Sequence, residues 1–599
     1  MEALQILNNV FGYNSFRSGQ EEIINTLLDK KNILAVMPTG AGKSICYQIP
    51  ALLFDRGTIV VSPLVALMDD QILALKELGI SAERIHSHLS QEKNEKTMQE
   101  FKNGNIKILY LSPENLMSDK TLYSLKDTDI SMFAIDEAHC ISKWGVSFRP
   151  QYEELSKIHQ IYPNAIIAGF TATADKNTRE DIVNKLSNYN SKIFVQGFDR
   201  PNLSLAVEQK DNWKKQILNF LENKNNDSGI IYCLSRKQTE DVASFLNEND
   251  YTAIPYHAGQ ENYLRKTNQN KFMNEDSIII VATIAFGMGI DKSNVRFVAH
   301  ISLPSSIEAY YQEIGRAGRD GNPSETLLLY GLNDLFQRRR FIEGDGDDSQ
   351  HKLRENKRLD NLLAYCETPI CRKKALLSYF DEDTENCNNC DNCIRPPKML
   401  DGTELAQMAL SAIYRSGQTF GTVHILNILL GDKTSKIIER GHDKIKTFGI
   451  GSNYKKEFWQ GFIRQLISSG HIFINIKKFG CLQITKTGLQ ILKNELYFNY
   501  KDIQINSSKK IKNKKVKITD DINNSDLELL MSLKTLRLEI SISLSVPAFV
   551  IFPDTSLMEM AKIKPKDKVE FAKINGVGPS KLEKYSEKFI SVINLNKSQ

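Results

Sequence analysis

Between about residues 30 and 195 the chain alternates short apolar runs with amphipathic helical stretches. The runs Ile33 to Met37, Thr58 to Ser62, Ile106 to Leu111, Met132 to Ile135 and Ala165 to Phe170 predict strands, each followed by a helical segment. That alternation specifies a doubly wound parallel sheet that receives ligands at its strand C-termini. From about 205 to 340 the pattern repeats with Gly229 to Cys233, Ser277 to Val281, Arg296 to His300 and Glu325 to Leu329, so two α/β domains are predicted in tandem. After about 345 the period becomes helical, then come cysteines and the boundary Arg395-Pro-Pro397. Residues 402–500 mix helices with short strands at His471 to Asn475 and Cys481 to Ile484, as a compact α+β module would. The polar, basic stretch Ser507 to Lys517 reads as a flexible linker, and a last helical segment runs from about 522 to the end.

A chain of 599 residues exceeds one hydrophobic core and divides into roughly three to five domains. Hydrophobic residues at 41% and charged residues at 25% exclude a disordered or fibrous chain. No apolar run reaches the roughly 18 residues of a membrane span, and Met1-Glu-Ala-Leu-Gln5 lacks the basic flank and apolar core of a secretory signal. A cytoplasmic protein without membrane contact is expected. The net charge of +5 is too small to identify partners, so local basic clusters matter more. Nine cysteines, an odd number, argue against a secreted disulfide framework, while five of them crowd between 366 and 393.

The chemistry starts at Met37-Pro-Thr-Gly-Ala-Gly-Lys-Ser44. Backbone N–H groups of Thr39, Gly40, Ala41 and Gly42, with a helix N-terminus, can surround a triphosphate although Met37 replaces the usual first glycine. Lys43 would neutralise the β- and γ-phosphates and Ser44 would ligate Mg²⁺. Asp136 of Asp136-Glu-Ala-His139, at the end of a second apolar run, would hold the same ion, and Glu137 would orient the attacking water. These residues predict a nucleoside triphosphatase.

Further motifs fall at strand ends: Ser62 to Gln71, Tyr110 to Glu114 and Gly169 to Ala174 in the first domain, Val281 to Asp291 and Tyr311 to Gly321 in the second. In this order they resemble the motif set of superfamily 2 helicases. Gln312, Arg316 and Arg319 would then act in hydrolysis, the two arginines reaching across the cleft to a γ-phosphate held by the first domain. Hydrolysis would remove the bridging group and drive opening and closing.

Phe11 to Gln20 and the loop His139 to Pro150 narrow the resemblance to RecQ-family DNA helicases. It implies that Tyr13 and Arg17 stack on adenine, that Gln20 bonds its edge, and that Trp144, Phe148 and Arg149 sense single-stranded DNA. Aromatics beside an arginine suit that second role by stacking and phosphate contact. Val146 and Ser147 depart from the family pattern and put the strength of DNA coupling in question.

Cys387-x-x-Cys390-x-x-Cys393 lets three thiolates converge on one ion, and a closed tetrahedral site needs a fourth ligand, for which Cys366 and Cys371 both lie near. The spacing also begins a ferredoxin run, whose next cysteine would fall at Pro397. The resemblance implies structural Zn²⁺ held with Cys371. It also implies that Val423 to Gly451 belong to a winged-helix domain holding duplex DNA, with His442, Lys444 and Lys446 as phosphate contacts. Val546 to Pro553 and Asn575 to Lys581 resemble an HRDC helical bundle.

The resemblance therefore implies an α/β chain with a RecA-like ATP-binding domain (1–204), a second RecA-like domain (205–342), a zinc-binding helical subdomain (343–397), a winged helix (398–505), a basic linker (506–521) and an HRDC bundle (522–599). The implied activity is ATP-dependent, 3′ to 5′ unwinding of tailed or branched duplex DNA in recombination and repair, using ATP, Mg²⁺ and Zn²⁺. A monomer associated with the nucleoid is expected, with a single-stranded-DNA-binding protein and a topoisomerase as candidate partners. An RNA helicase or a translocase that does not separate strands is the alternative. A noncatalytic annealing protein is disfavoured by the intact Lys43, Asp136, Glu137 and Arg319.

Overall fold

A computed structural model describes residues 2–595 apart from 39, 64, 87–88, 143–148, 285, 287–291, 345–347, 476–479, 503–523, 545 and 547. Strands β1 (Ile33–Val36), β2 (Gly57–Val61), β3 (Ala82–Ile85), β4 (Ile108–Leu111), β5 (Ile130–Ile135), β6 (Ile166–Thr171) and β7 (Lys192–Val195) form one parallel sheet in the order β3-β4-β2-β5-β6-β1-β7. Every residue of β1, β4 and β6 is buried, which is why these strands read as continuous apolar runs rather than alternating ones. The second parallel sheet contains β8 (Leu203–Gln209), β9 (Ser228–Tyr232), β10 (Ala253–Tyr256), β11 (Ile279–Ala282), β12 (Val295–His300) and β13 (Ser324–Tyr330), ordered β10-β11-β9-β12-β13-β8.

In the first sheet the order β5-β6-β1 brings three loop origins together, because Val36 is level with Thr171 and Ile135 with Gly169. The phosphate loop, the acidic tetrad and the Thr171 turn therefore leave the same edge side by side.

Behind the second sheet, helices Ser349–Glu367, Arg372–Tyr379 and Asp391–Ile394 carry the cysteines. Arg372 is fully buried there; it donates to the carbonyls of Tyr365 and Cys366 and pairs with Asp391 at 2.9 Å. Asp391 in turn accepts from the Val207 N–H, fastening this subdomain to β8. The next module packs helices Thr403–Arg415, Thr422–Leu430 and Lys456–Ser468 against an antiparallel hairpin of β15 (Ile472–Asn475) and β16 (Cys481–Ile484). A short pair, β14 (Met399–Asp401) with β17 (Asn499–Lys501), closes it. The basic linker lies outside the described residues. Helices Asn524–Leu544, Asp554–Ile563 and Pro579–Leu595 then enclose Phe552, Phe571 and Phe589 in a separate core. Among the described residues no helix is long and apolar enough to cross a membrane.

Candidate nucleotide site, metal centre and nucleic-acid cleft

The phosphate loop runs from β1 into helix Lys43–Leu53. Gly40 (φ 86°) and Gly42 (φ 80°) take left-handed backbone that side chains resist, and the Ala41 N–H turns back onto the Pro38 carbonyl at 3.1 Å. Helix Gln20–Leu28 braces the loop from behind: buried Gln20 donates to the carbonyls of Ala41 (3.0 Å) and Gly42 (3.2 Å), and Arg17 donates to that of Gly40. Tyr13 precedes this helix and is half-buried. Thr39 lies outside the described residues.

After β5, the Asp136 N–H continues the sheet ladder onto the Val61 carbonyl, and Asp136 Oδ1 accepts from the Glu137 N–H at 3.0 Å. Burial, then the neighbouring Glu137, push the Asp136 carboxyl up to about 6, against the pull of Lys43. Burial also pushes Glu137 up, but Lys43, His139, Arg316 and Arg149 outweigh it and hold that carboxyl below its usual range. The glutamate next to the phosphate loop is thus kept ionised by cations from both domains. Its Oε2 is a buried oxygen without a hydrogen-bond donor, 3.3 Å from His139 Nδ1.

Gln312 and Arg319 both make contacts across the cleft. Gln312, in helix Ile307–Ile314 of the second domain, donates to Thr173 Oγ1 of the first at 2.9 Å. The Arg319 side chain lies over Gly40, close enough that a methyl on that glycine would meet its Cγ at 3.5 Å. His139, to which the sequence assigns no role, shares a 2.8 Å hydrogen bond with Thr171 Oγ1, and Thr171 donates to the Thr173 carbonyl. Hydrogen bonds thus run from His139 through Thr171 to the Thr173 backbone, and Gln312 meets the hydroxyl of the same Thr173. The Thr-Ala-Thr turn after β6 was their sequence signal. Buried Tyr152 also donates to the Asp136 carbonyl at 3.0 Å, which no local motif announces.

The groups at this edge fit ATP with Mg²⁺: the N-terminus of helix Lys43–Leu53, Lys43, the Ser44 hydroxyl and the Asp136 carboxylate. Trp144 and Phe148 lie outside the described residues. Arg149 is half-buried and donates to the Pro63 carbonyl at 3.3 Å.

The sulfurs of Cys371, Cys387, Cys390 and Cys393 all fall within 4.8 Å of one another, and Cys366 is not in the group. N–H groups of Arg372, Cys387 and Asn389 point at the sulfurs of Cys390, Cys371 and Cys387, as thiolates require. Four convergent thiolates fit a closed tetrahedral zinc site.

In the winged-helix module His442 bonds His424 (2.7 Å) beside the Phe420 ring, so it is engaged, whereas Lys444 and Lys446 are exposed. Between this module and the second domain opens a cleft of about 1640 Å³ lined by Lys210, Arg340, Phe341, Phe420, Lys436 and Arg440. Cations interleaved with aromatics suit a nucleic-acid strand.

Two parallel-sheet domains that share one nucleotide site across their cleft define the motor of an ATP-driven helicase. Residues 17–182 match the DEAD/DEAH box helicase family and 210–321 the helicase conserved C-terminal domain. Residues 332–394 match the RecQ zinc-binding family, 396–509 the RQC domain and 526–593 the HRDC domain. The chain is 41% identical over 598 residues to the ATP-dependent DNA helicase RecQ of Haemophilus influenzae, covering 100% of this chain and 96% of that protein. Its identity to the Bacillus subtilis protein of the same name is 37% over 594 residues, 99% of this chain and 98% of that protein. The chain belongs to the RecQ family of ATP-dependent DNA helicases.

Proposed function

We propose that this helicase moves 3′ to 5′ along single-stranded DNA and unwinds tailed or branched duplexes during recombination and repair. The polarity and substrates rest on its family membership. The coupling of hydrolysis to domain motion rests on one observation, the Arg319 side chain of the second domain over the phosphate loop of the first. Lys43 holds the β- and γ-phosphates, and Glu137, kept ionised, orients the attacking water. Ser44 and Asp136 would hold Mg²⁺, which would supply neutralising charge to the phosphates. Arg316 and Arg319 supply charge to the transition state only when the cleft is closed, while Gln312 reports closure to Thr173. The cleft against the winged helix guides a strand, Lys444 and Lys446 contact duplex phosphates, and Arg149 belongs to the loop that senses DNA. Tyr13 and Arg17 select adenine, whereas the Gln20 amide, expected on the adenine edge, is spent on the Arg17 N–H and the Ala41 and Gly42 carbonyls. Nucleoid association, a monomeric state and contacts with a single-stranded-DNA-binding protein and a topoisomerase belong to the same reading.

The test is unwinding of a labelled duplex with a 3′ tail beside one with a 5′ tail. Only the 3′-tailed duplex is expected to open, and Lys43→Ala should abolish it while sparing DNA binding. Arg319→Ala should keep ATP binding and lower kcat about a thousandfold. Unwinding of the 5′-tailed duplex alone, or stimulation by RNA over DNA, would overturn the reading.

A further inference from the structure

The crossing from one sheet to the other, residues 196–202, touches three bodies in turn. Gln196 is anchored to the first domain, its N–H on the Val36 carbonyl and its side chain on the Ser18 carbonyl at 2.8 Å. Phe198 is buried against the zinc-binding subdomain, stacked on Phe380 with ring centroids 4.5 Å apart and planes 15° from parallel. The Phe198 N–H donates to the Glu382 carboxylate, and Lys373 pairs with Asp199 at 2.7 Å. Arg200 then turns into the second domain. Its guanidinium donates to three carbonyls of the loop that carries both cross-cleft arginines: Gly315 (3.3 Å), Ala317 (2.9 Å) and Gly318 (2.9 Å).

These carbonyls follow the end of helix Ile307–Ile314, where acceptors lack intrahelical donors and a cation is favoured. A planar fork reaches separated carbonyls from donors held in a fixed plane, whereas an ammonium must gather its acceptors around one nitrogen. The fit leaves no slack: Gly318 has φ 60°, and a Cβ there would meet the Asn202 side-chain nitrogen at 2.3 Å. The neighbourhood is electrostatically adverse, since burial and then the charges of Arg319 and Arg17 act against the Arg200 cation, with Tyr311 and Asp320 favouring it. Asn202, which donates to Gly318 and Asn322, shows that a neutral side chain can tie this loop down. A cation kept beside other cations points to a need for its particular geometry.

We propose that Arg200 is a positioning residue for ATP hydrolysis: it sets the loop bearing Arg316 and Arg319, and the zinc-binding subdomain sets Arg200 by seating the linker through Phe380 and Glu382. The proposal rests on the cross-cleft reading above. It gives the metal-binding subdomain a part in turnover without any contact to nucleotide.

The experiment uses the full-length, zinc-loaded protein and measures DNA-stimulated kcat and KM for ATP, binding of a fluorescent ADP analogue, and zinc content. Arg200→Ala should lower kcat about tenfold or more with KM, nucleotide binding and zinc content nearly unchanged, and Arg200→Lys should restore only part of the rate. In an Arg319→Ala background the Arg200→Ala loss should shrink, because the two act through one loop. Glu382→Gln, on a half-exposed side chain, should give a smaller loss of the same kind, and it decides the matter if Arg200→Ala does not fold. A normal Arg200→Ala rate beside an impaired Arg319→Ala rate would overturn the positioning role alone. A normal Arg319→Ala rate would remove the cross-cleft reading beneath it. Equal losses with and without Arg319, or a loss of nucleotide binding matching the loss of kcat, would also overturn the proposal.

Discussion

Glu137 sits at φ 49° and ψ 43°, a left-handed conformation that costs a residue with a side chain about 1–2 kcal/mol. The Asp136 carboxylate, bonded to the Glu137 N–H, and the 3₁₀ turn Ala138–Ile141 behind it hold that backbone in place. The strain aims the carboxylate among Lys43, His139, Arg316 and Arg149, so it serves the charge arrangement rather than packing. Glu137→Gln keeps the shape and removes the charge. It should bind ATP normally and lose about 10²–10⁴-fold in kcat, which single-turnover hydrolysis beside nucleotide binding would check. Unimpaired hydrolysis would remove Glu137 from the reaction. At this scale the sequence was readable where function sits in consecutive residues, as in the phosphate loop, the acidic tetrad and Cys387 to Cys393. It was silent on Tyr152 and Arg200, whose partners Asp136 and Gly315 to Gly318 are brought near only by the folded sheets.

Among elements, legibility followed position in the sheet. All nine strands anticipated from apolar runs in the two α/β domains are present, with ends shifted by a residue or two. The four not anticipated there, β3, β7, β8 and β10, are the four sheet edges. Three of these edge strands carry residues such as Glu83, Arg84, Lys192 and Glu208 that break an apolar run, and the fourth, β10, is four residues long with Pro255 inside it. The zinc-binding element is the opposite case: three of its ligands were legible from spacing and the fourth, Cys371, from the family resemblance, but its packing was not. Cys390 is fully buried and accepts from the Arg372 N–H, and Arg372 ties the loop to Asp391 and so to β8. Cys390→Ser should therefore cost more than a ligand. Metal content should fall, and the thermal midpoint should drop by several degrees or the protein become insoluble, because metal binding here is folding free energy. Elemental analysis with thermal unfolding tests this, and full metal content with unchanged stability would exclude the site.

For the whole molecule, the decisive arrangement is that the C-terminal bundle touches both halves of the motor. On the first domain its Gly576 N–H donates to the Gly12 carbonyl, one residue before Tyr13. Ser580 donates to the Glu77 carbonyl, and Tyr585 and Lys584 reach the Glu77 carboxylate at 2.8 and 3.1 Å. On the second domain Lys534 lies 3.5 Å from Asp276. A body fastened to both halves resists their relative rotation, so the docked bundle should slow the ATP cycle. Gly578 offers a clean way to release it. A Cβ there would meet the Val10 carbonyl oxygen at 2.6 Å, and the three nearest atoms all belong to the first domain, so a larger residue clashes with the motor and not with its own bundle. Gly578→Val should leave the bundle folded, enlarge the radius of gyration in solution scattering, and raise ATP turnover measured without DNA. Glu77→Ala should shift both readouts the same way but less, because it removes side-chain partners and leaves the Gly12 contact. An expanded Gly578→Val protein with unchanged turnover would show that the bundle docks without restraining the motor. An unexpanded one would show that this face does not hold it.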